Sequence, residues 1–241
     1  MRLDQYLVHN RLTESRARAQ EAIAAGLVRV NGAVARKSSQ SVADGDSVSV
    51  EGAVHPYVSR GGVKLSAALD HFRIDPAGKT CLDLGASTGG FTDVLLERDA
   101  AKIYAVDVGR RQLHERIARD PRVINLERTH AKDLTRSLAP DAIDLIVCDV
   151  SFISLKKALP FALALAAPHA TLVALVKPQF EVGREGIGKG GLVKEGYADP
   201  AARDMAQWIA EQGWSVTGMI DSPILGGDGN REFLLGAAKT A

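Results

Sequence analysis

The chain has 241 residues, 46% hydrophobic and 24% charged, which is enough to bury a core and excludes a disordered or collagen-like chain. Thirty Lys and Arg against 29 Asp and Glu leave a net charge of +1, so bulk charge selects no polyanionic partner. The only cysteines, Cys81 and Cys148, sit inside apolar runs and match neither a disulfide framework nor a zinc spacing, so a reducing cytoplasm and no metal are expected.

Residues 1–54 read as a compact module of short elements. Leu3, Tyr6 and Leu7 form one helical stripe, and Thr13 is placed to cap a second helix reaching Ala25, with Gly26 as its stop. A strand over 27–30 leads into the hairpin signal Asn31-Gly32, and Asp44-Gly45-Asp46 turns into a half-buried strand over 47–50. Residues 9–37 carry Arg11, Arg16, Arg18, Arg29, Arg36 and Lys37 against only Glu14 and Glu21, whereas residues 59–241 carry 23 charges of each sign. A modest basic patch therefore lies in the first sixth of the chain.

Residues 55–62, with Pro56, Gly61 and Gly62, read as a linker, and 63–241 as a second domain. There Leu65, Ala68, Leu69 and Phe72 fall at helical spacing. Strand-like runs over 81–84, 103–106, 123–126, 145–148 and 172–176 then alternate with helical segments. This predicts an α/β domain with a mostly parallel sheet and helices on both faces. Runs over 216–220 and 233–235, joined by a turn-rich 221–230, predict a terminal hairpin with an antiparallel last strand. The most membrane-like stretch, 158–176, is interrupted by Pro160, Pro168 and His169, so it reads as a buried helix and strand and no membrane anchor is expected.

The first strand of this domain turns into its helix through Asp83, Gly85, Ser87, Thr88, Gly89, Gly90 and Phe91. Glycines there let backbone approach a ligand at a helix N-terminus. The spacing is G-x-x-x-G-G rather than the dinucleotide G-x-G-x-x-G. Asp107 ends the next strand, 22 residues after Gly85, where a carboxylate can accept ribose hydroxyls. The pattern fits S-adenosylmethionine, with Asp83 near its methionine end. A plain strand-to-helix turn with solvent-facing acids is the competing reading.

Asp149 and Lys177 follow the fourth and fifth apolar runs, at strand carboxyl ends that flank one cleft in open α/β sheets. Lys64 opens the helix before the first strand, and Glu232 opens the last strand. In this order Lys64, Asp149, Lys177 and Glu232 resemble the Lys-Asp-Lys-Glu tetrad of FtsJ-type ribose 2′-O-methyltransferases. The blocks around them (59–65, 148–154, 175–181 and 230–233) resemble the TlyA, or haemolysin A, family of ribosomal RNA methyltransferases. That resemblance implies a Rossmann-like methyltransferase domain transferring a methyl group from S-adenosylmethionine to a cytidine ribose in ribosomal RNA of the large, and for some members also the small, subunit. It also implies Lys177 as the group taking the hydroxyl proton, oriented by Asp149. Lys64 would position the hydroxyl and lower the pKa of Lys177, and Glu232 would hold either Lys64 or the ribose. Asp133 is carried over as a contact near the adenine, although His130 and Lys132 depart from the family pattern.

Residues 2–7, 15–20, 26–32 and 37–38 resemble the S4-type (αL) RNA-binding domain, which presents cations to structured RNA. On that resemblance Arg16, Arg18, Arg29, Arg36 and Lys37 are the contact candidates, and ribosomal RNA or ribosomal subunits the partner. Nothing demands more than a monomer. Two other readings stand beside the enzyme: a non-catalytic rRNA-binding assembly factor, and a haemolysin, which would need a membrane-active segment the sequence does not show.

Overall fold

The computed structural model describes residues 1–52, 54–226 and 228–239. The chain divides into two compact units, Met1–Pro56 and Tyr57–Ala241. In the first, helices α1 (Leu3–His9) and α2 (Arg16–Ala24) accompany an antiparallel sheet in which β1 (Val28–Val30) lies between β2 (Ala33–Val34) and β3 (Val48–Val50). Leu3, Leu7, Ala19, Ile23 and Val28 form its core. Asn31 and Gly32 adopt φ of 50° and 79°, the left-handed pair that a two-residue hairpin requires.

The cap of α2 is Ser15, not the expected Thr13: Ser15 is extended and its side chain accepts the Arg18 N–H at 3.3 Å. Thr13 is unsuited because its amide, with that of Leu12, donates to the Leu7 carbonyl and closes α1. Asp4 is fully buried and accepts from Arg2 Nε (3.0 Å), Arg16 Nη2 (2.9 Å), Gln20 Nε2 (3.2 Å) and the Gln5 amide (3.0 Å). The guanidinium of Arg2, then that of Arg16, holds its carboxyl well below the usual carboxylate range.

The second unit opens with α3 (Gly61–Phe72), which takes in the Gly61 and Gly62 that the sequence placed in a linker. A Cβ at Gly62 would sit 2.3 Å from the Tyr57 ring, so this glycine serves a close approach rather than a flexible joint. There follow β4 (Thr80–Leu84), α4 (Gly90–Glu97), β5 (Lys102–Asp107), α5 (Glu115–Ala118), β6 (Val123–Glu127), β7 (Ile143–Cys148), α6 (Leu155–Leu163), β8 (Ala166–Val176), α7 (Pro178–Glu181), α8 (Ala198–Glu211), β9 (Trp214–Asp221) and β10 (Phe233–Lys239). The strands form one sheet in the order β6-β5-β4-β7-β8-β10-β9. Pairings among β4 to β8 are parallel, and β10 runs antiparallel between β8 and β9, as the sequence predicts for the last strand.

Period-two alternation splits the core between the two faces. Leu82, Tyr104, Ile146, Leu172 and Ala174 pack under α6 and α8. Cys81, Ile103, Val147, Leu175 and Leu234 pack under α3, α4 and α5. Strand order reverses between β4 and β7, which makes the carboxyl ends of these strands the place for a ligand crevice. Among the described residues no helix is long and apolar enough to cross a membrane, and no cluster of His, Cys, Asp and Glu could hold a metal.

Two outcomes follow. In Gly90→Ala the new Cβ would meet Ser59 Oγ at 2.1 Å and the Gly62 amide at 3.1 Å, where α4 abuts α3. This should lower stability by about 1–3 kcal/mol, read as a shifted urea midpoint. Because the folded-state pKa of Asp4 is depressed, its stabilisation is present above the unfolded carboxylate value of about 3.9 and is lost as pH falls below it. Acid titration of the first unit's unfolding should therefore show a steep loss below about pH 4 that Asp4→Asn flattens.

Candidate active site

Three sheet strands and one helix bring the four charged residues together for a reason visible in the pleat. Continuing the alternation one residue past each strand, Asp149 falls on the face of Val147, Lys177 on that of Leu175 and Glu232 on that of Leu234, the face that α3 covers. Lys64 comes down from α3 itself. Phe233 pairs with Val176, so Glu232 and Lys177 are next in register at the same sheet edge. The result is two ion pairs. Lys64 Nζ meets Glu232 Oε2, both side chains being nearly inaccessible. Lys177 Nζ lies 2.6 Å from Asp149 Oδ1 and donates to Ser151 Oγ at 2.7 Å.

Beside these pairs, at the carboxyl ends of β4, β5 and β7, lies a cleft of about 740 Å³. Its lining includes Gly85, Ser87, Asp107, Asp149 and Ser151, with Lys157 and Phe161 of α6 on the far wall. Gly85 has φ of 87°, and a Cβ there would lie 2.7 Å from the Asp149 carbonyl, so only glycine lets β4 turn against the end of β7. Asp107 is oriented by the Ser87 amide (2.8 Å to Oδ2) and the Gly109 amide (2.6 Å to Oδ1). Each oxygen keeps a lone pair for a hydroxyl donor.

The remaining residues of the glycine segment do other work. Asp83 is fully buried, accepts the Thr92 hydroxyl at 2.6 Å, and has its carboxyl pushed up to about 7 by burial. Its Oδ1 is buried with no hydrogen-bond partner among the described residues. Gly89, at φ of 93°, packs against Leu113 and Ile117, Gly90 packs against α3, and Phe91 is buried in the core. Thr88 offers its carbonyl to the His114 amide. Asp133 is exposed and lies outside the cleft lining, which instead takes in His130, Ala131 and Lys132.

Ser151 and Phe152 were not among the sequence-derived site residues, although both lie in the block quoted around Asp149. Phe152 is 91% exposed, lines the cleft and holds a φ of 64°, a backbone conformation that costs a bulky residue about 1–3 kcal/mol. Its ring leans on that of Phe180, 5.3 Å away between centroids.

In the first unit the candidate RNA contacts divide. Arg16 is drawn to Asp4, Arg18 to Glu21 and the ring of His55, and Arg29 to Glu51 at 2.8 Å. Arg36 and Lys37 are exposed and hold no ion-pair partner among the described residues. The glycine-rich 183–196 loop is a docked hairpin: Ile187 bridges Val193, and the buried Asn230 accepts the Val193 amide at 2.8 Å and donates to the Gly191 carbonyl at 3.0 Å.

Known proteins resemble this chain along its whole length. The family model described as FtsJ-like methyltransferase matches residues 57–239, and that of the S4 domain residues 1–48. A 16S/23S rRNA (cytidine-2′-O)-methyltransferase, TlyA, from Mycobacterium tuberculosis is 45% identical over 97% of this chain and 88% of its own. Hemolysin A of Brachyspira hyodysenteriae is 40% identical over 97% of this chain and 98% of its own. A solved structure from Streptococcus thermophilus, described as a hemolysin, superposes with a TM-score of 0.80 at 38% identity, covering 100% of this chain and 88% of that one. A SAM-dependent methyltransferase from Aquifex aeolicus shares the fold at a TM-score of 0.52 and 19% identity, over 76% and 94% of the two chains. The chain belongs to the FtsJ-like methyltransferase family, in the branch that contains TlyA and hemolysin A, with an S4 domain at its N-terminus.

Proposed function

We propose that this protein transfers the methyl group of S-adenosylmethionine to the 2′-hydroxyl of a cytidine in ribosomal RNA. The observation that carries this reading is the two ion pairs, buried Lys64–Glu232 and partly buried Lys177–Asp149, at the edge of a nucleoside-sized cleft. The activity of the 45% identical relative, a 16S/23S rRNA (cytidine-2′-O)-methyltransferase, supports the same substrate.

The residues present fit the cofactor. Asp107 stands where ribose hydroxyls would be accepted, Gly85 lets a ligand approach the β4 turn, and the Oδ1 of Asp83, with no hydrogen-bond partner among the described residues, favours positive charge at the methionine end. When bound, the cofactor supplies an electrophilic methyl group on a sulfonium.

The protein's own part is to hold a weakly acidic hydroxyl and take its proton. Lys177, paired with Asp149 at the edge of the cleft, is the group that accepts the proton from the ribose oxygen. Lys64, fixed by Glu232, holds the hydroxyl in line, and such positioning carries much of the rate. The exposed ring of Phe152 offers the target base a stacking face, worth about 1–3 kcal/mol in single-stranded recognition. Arg36 and Lys37 supply the S4 unit with exposed cations for phosphates.

Transfer of labelled methyl groups to unmethylated large subunits, small subunits and naked rRNA tests the reading. Label on a ribose 2′-oxygen is expected, and Lys177→Ala should cut the single-turnover rate by about 10²–10⁴-fold while leaving cofactor affinity unchanged. Label on a base, or none on any RNA, would refute it. Asp107→Ala should weaken cofactor binding about tenfold or more by calorimetry, and an unchanged affinity would remove Asp107 from the cofactor site.

A further inference from the structure

Lys177 has two neighbours, and the mechanism above uses only one of them for orientation. Nζ sits 2.6 Å from Asp149 Oδ1 and 2.7 Å from Ser151 Oγ. An amine held by one partner alone can swing about that partner, and a second partner in another direction removes most of that freedom. The Ser151 hydroxyl accepts a hydrogen bond from Nζ and the Asp149 carboxylate holds it by charge. Both residues line the cleft, so the amine is placed by two groups in the cleft wall.

Ser151 can do this only if its own backbone is held, and the structure holds it closely. The segment from Asp149 to Leu155 leaves β7 with the Asp149 amide on the Leu84 carbonyl at 2.9 Å. It enters α6 with the Ser154 hydroxyl and the Leu155 amide donating to the Glu181 carboxylate, at 2.5 and 2.8 Å. Between these ends Phe152 rests on Phe180. Phe180 and Glu181 follow Lys177 by three and four residues, on α7, whose N-cap is Lys177 itself. The short helix that presents the amine therefore also anchors the segment that presents the hydroxyl. A strained Phe152 within that segment is affordable only under such a double anchor.

We propose that Ser151 is a positioning residue for methyl transfer: its hydroxyl, with Asp149, aims the Lys177 amine at the ribose hydroxyl, and Glu181 holds Ser151 in place for that task. The proposal rests on the 2′-O-methylation reading. Ser151 is exposed and at the start of a loop, so Ser151→Ala removes one hydroxyl without opening the core.

The experiment uses the full chain, labelled S-adenosylmethionine and the subunit that the wild type methylates, under single-turnover conditions. Cofactor affinity is read by calorimetry and subunit affinity by filter binding. For Ser151→Ala the rate at saturation should fall about tenfold to a hundredfold while both affinities stay within about twofold, because the lost contact matters only at the reacting geometry. Ser151→Thr, which restores the hydroxyl, should recover most of the rate. An unchanged rate in Ser151→Ala overturns the proposal. So does a loss matched by weaker cofactor or RNA binding, which would make Ser151 a substrate contact, and so does a threonine variant no better than alanine. If the wild type itself labels no ribose, the methylation reading falls and takes this one with it. A working wild type beside an unaffected Ser151→Ala overturns this proposal alone.

Discussion

Two lysines are buried at the edge of a sheet whose faces are apolar, and that is tolerable only because each meets a carboxylate. Taking an ammonium out of water costs several kcal/mol, and the cost is recovered only with a close counter-charge and good hydrogen bonds. Lys64 and Glu232 are 168 residues apart in sequence, one on the first helix of the methyltransferase unit and the other at the start of its last strand. Their pairing therefore requires β10 to insert between β8 and β9 and α3 to lie across it. Removing either partner would strand a buried charge, at about 3–5 kcal/mol. Fold closure and site assembly are in this sense one event.

The face on which these charges lie is dictated by the pleat. Asp149, Lys177 and Glu232 each continue the alternation of a strand whose neighbouring residues pack under α3, so one face of one sheet edge collects all three. A reading of strands and their ends was enough to nominate these residues, because an ionisable group following a buried β-run stands out against its neighbours. The pairings came from the family resemblance and not from spacing. Which lysine meets which acid depends on strand order and register, and β10 sits beside β8 through an antiparallel return that spacing alone does not specify.

The glycine segment shows the opposite case. Glycines after β4 read as a ligand cradle, yet Gly89 and Gly90 are required by side chains and backbone packed against them, and only Gly85 both turns left-handed and lines the cleft. Sequence reports that a Cβ is unwelcome at a position; it does not report whether protein or ligand excludes it. The same limit applies to the basic patch. Six cations in a short stretch marked a charged surface, but Asp4, which looked like one acid on a short helix, draws in both Arg2 and Arg16. Counting charges along a chain misses the counter-ion that folding brings from the other side.

The stiffness of the reacting end comes from α7, a helix too short to be stable by itself. Pro178 at its start fixes the exit from β8 just after Lys177, and the next three residues are spent on contacts to the 149–155 segment or its surroundings. Gln179 donates to Asp228, Phe180 carries Phe152, and Glu181 caps α6. One turn of helix thereby ties the amine, the segment bearing Asp149 and Ser151, and the loop leading to Glu232. Flexibility in any of these would spread the amine over orientations of which few face a hydroxyl. A cleft built from loops at strand ends is thus given the rigidity of the sheet through four consecutive residues, and the strain at Phe152 is held within the same construction.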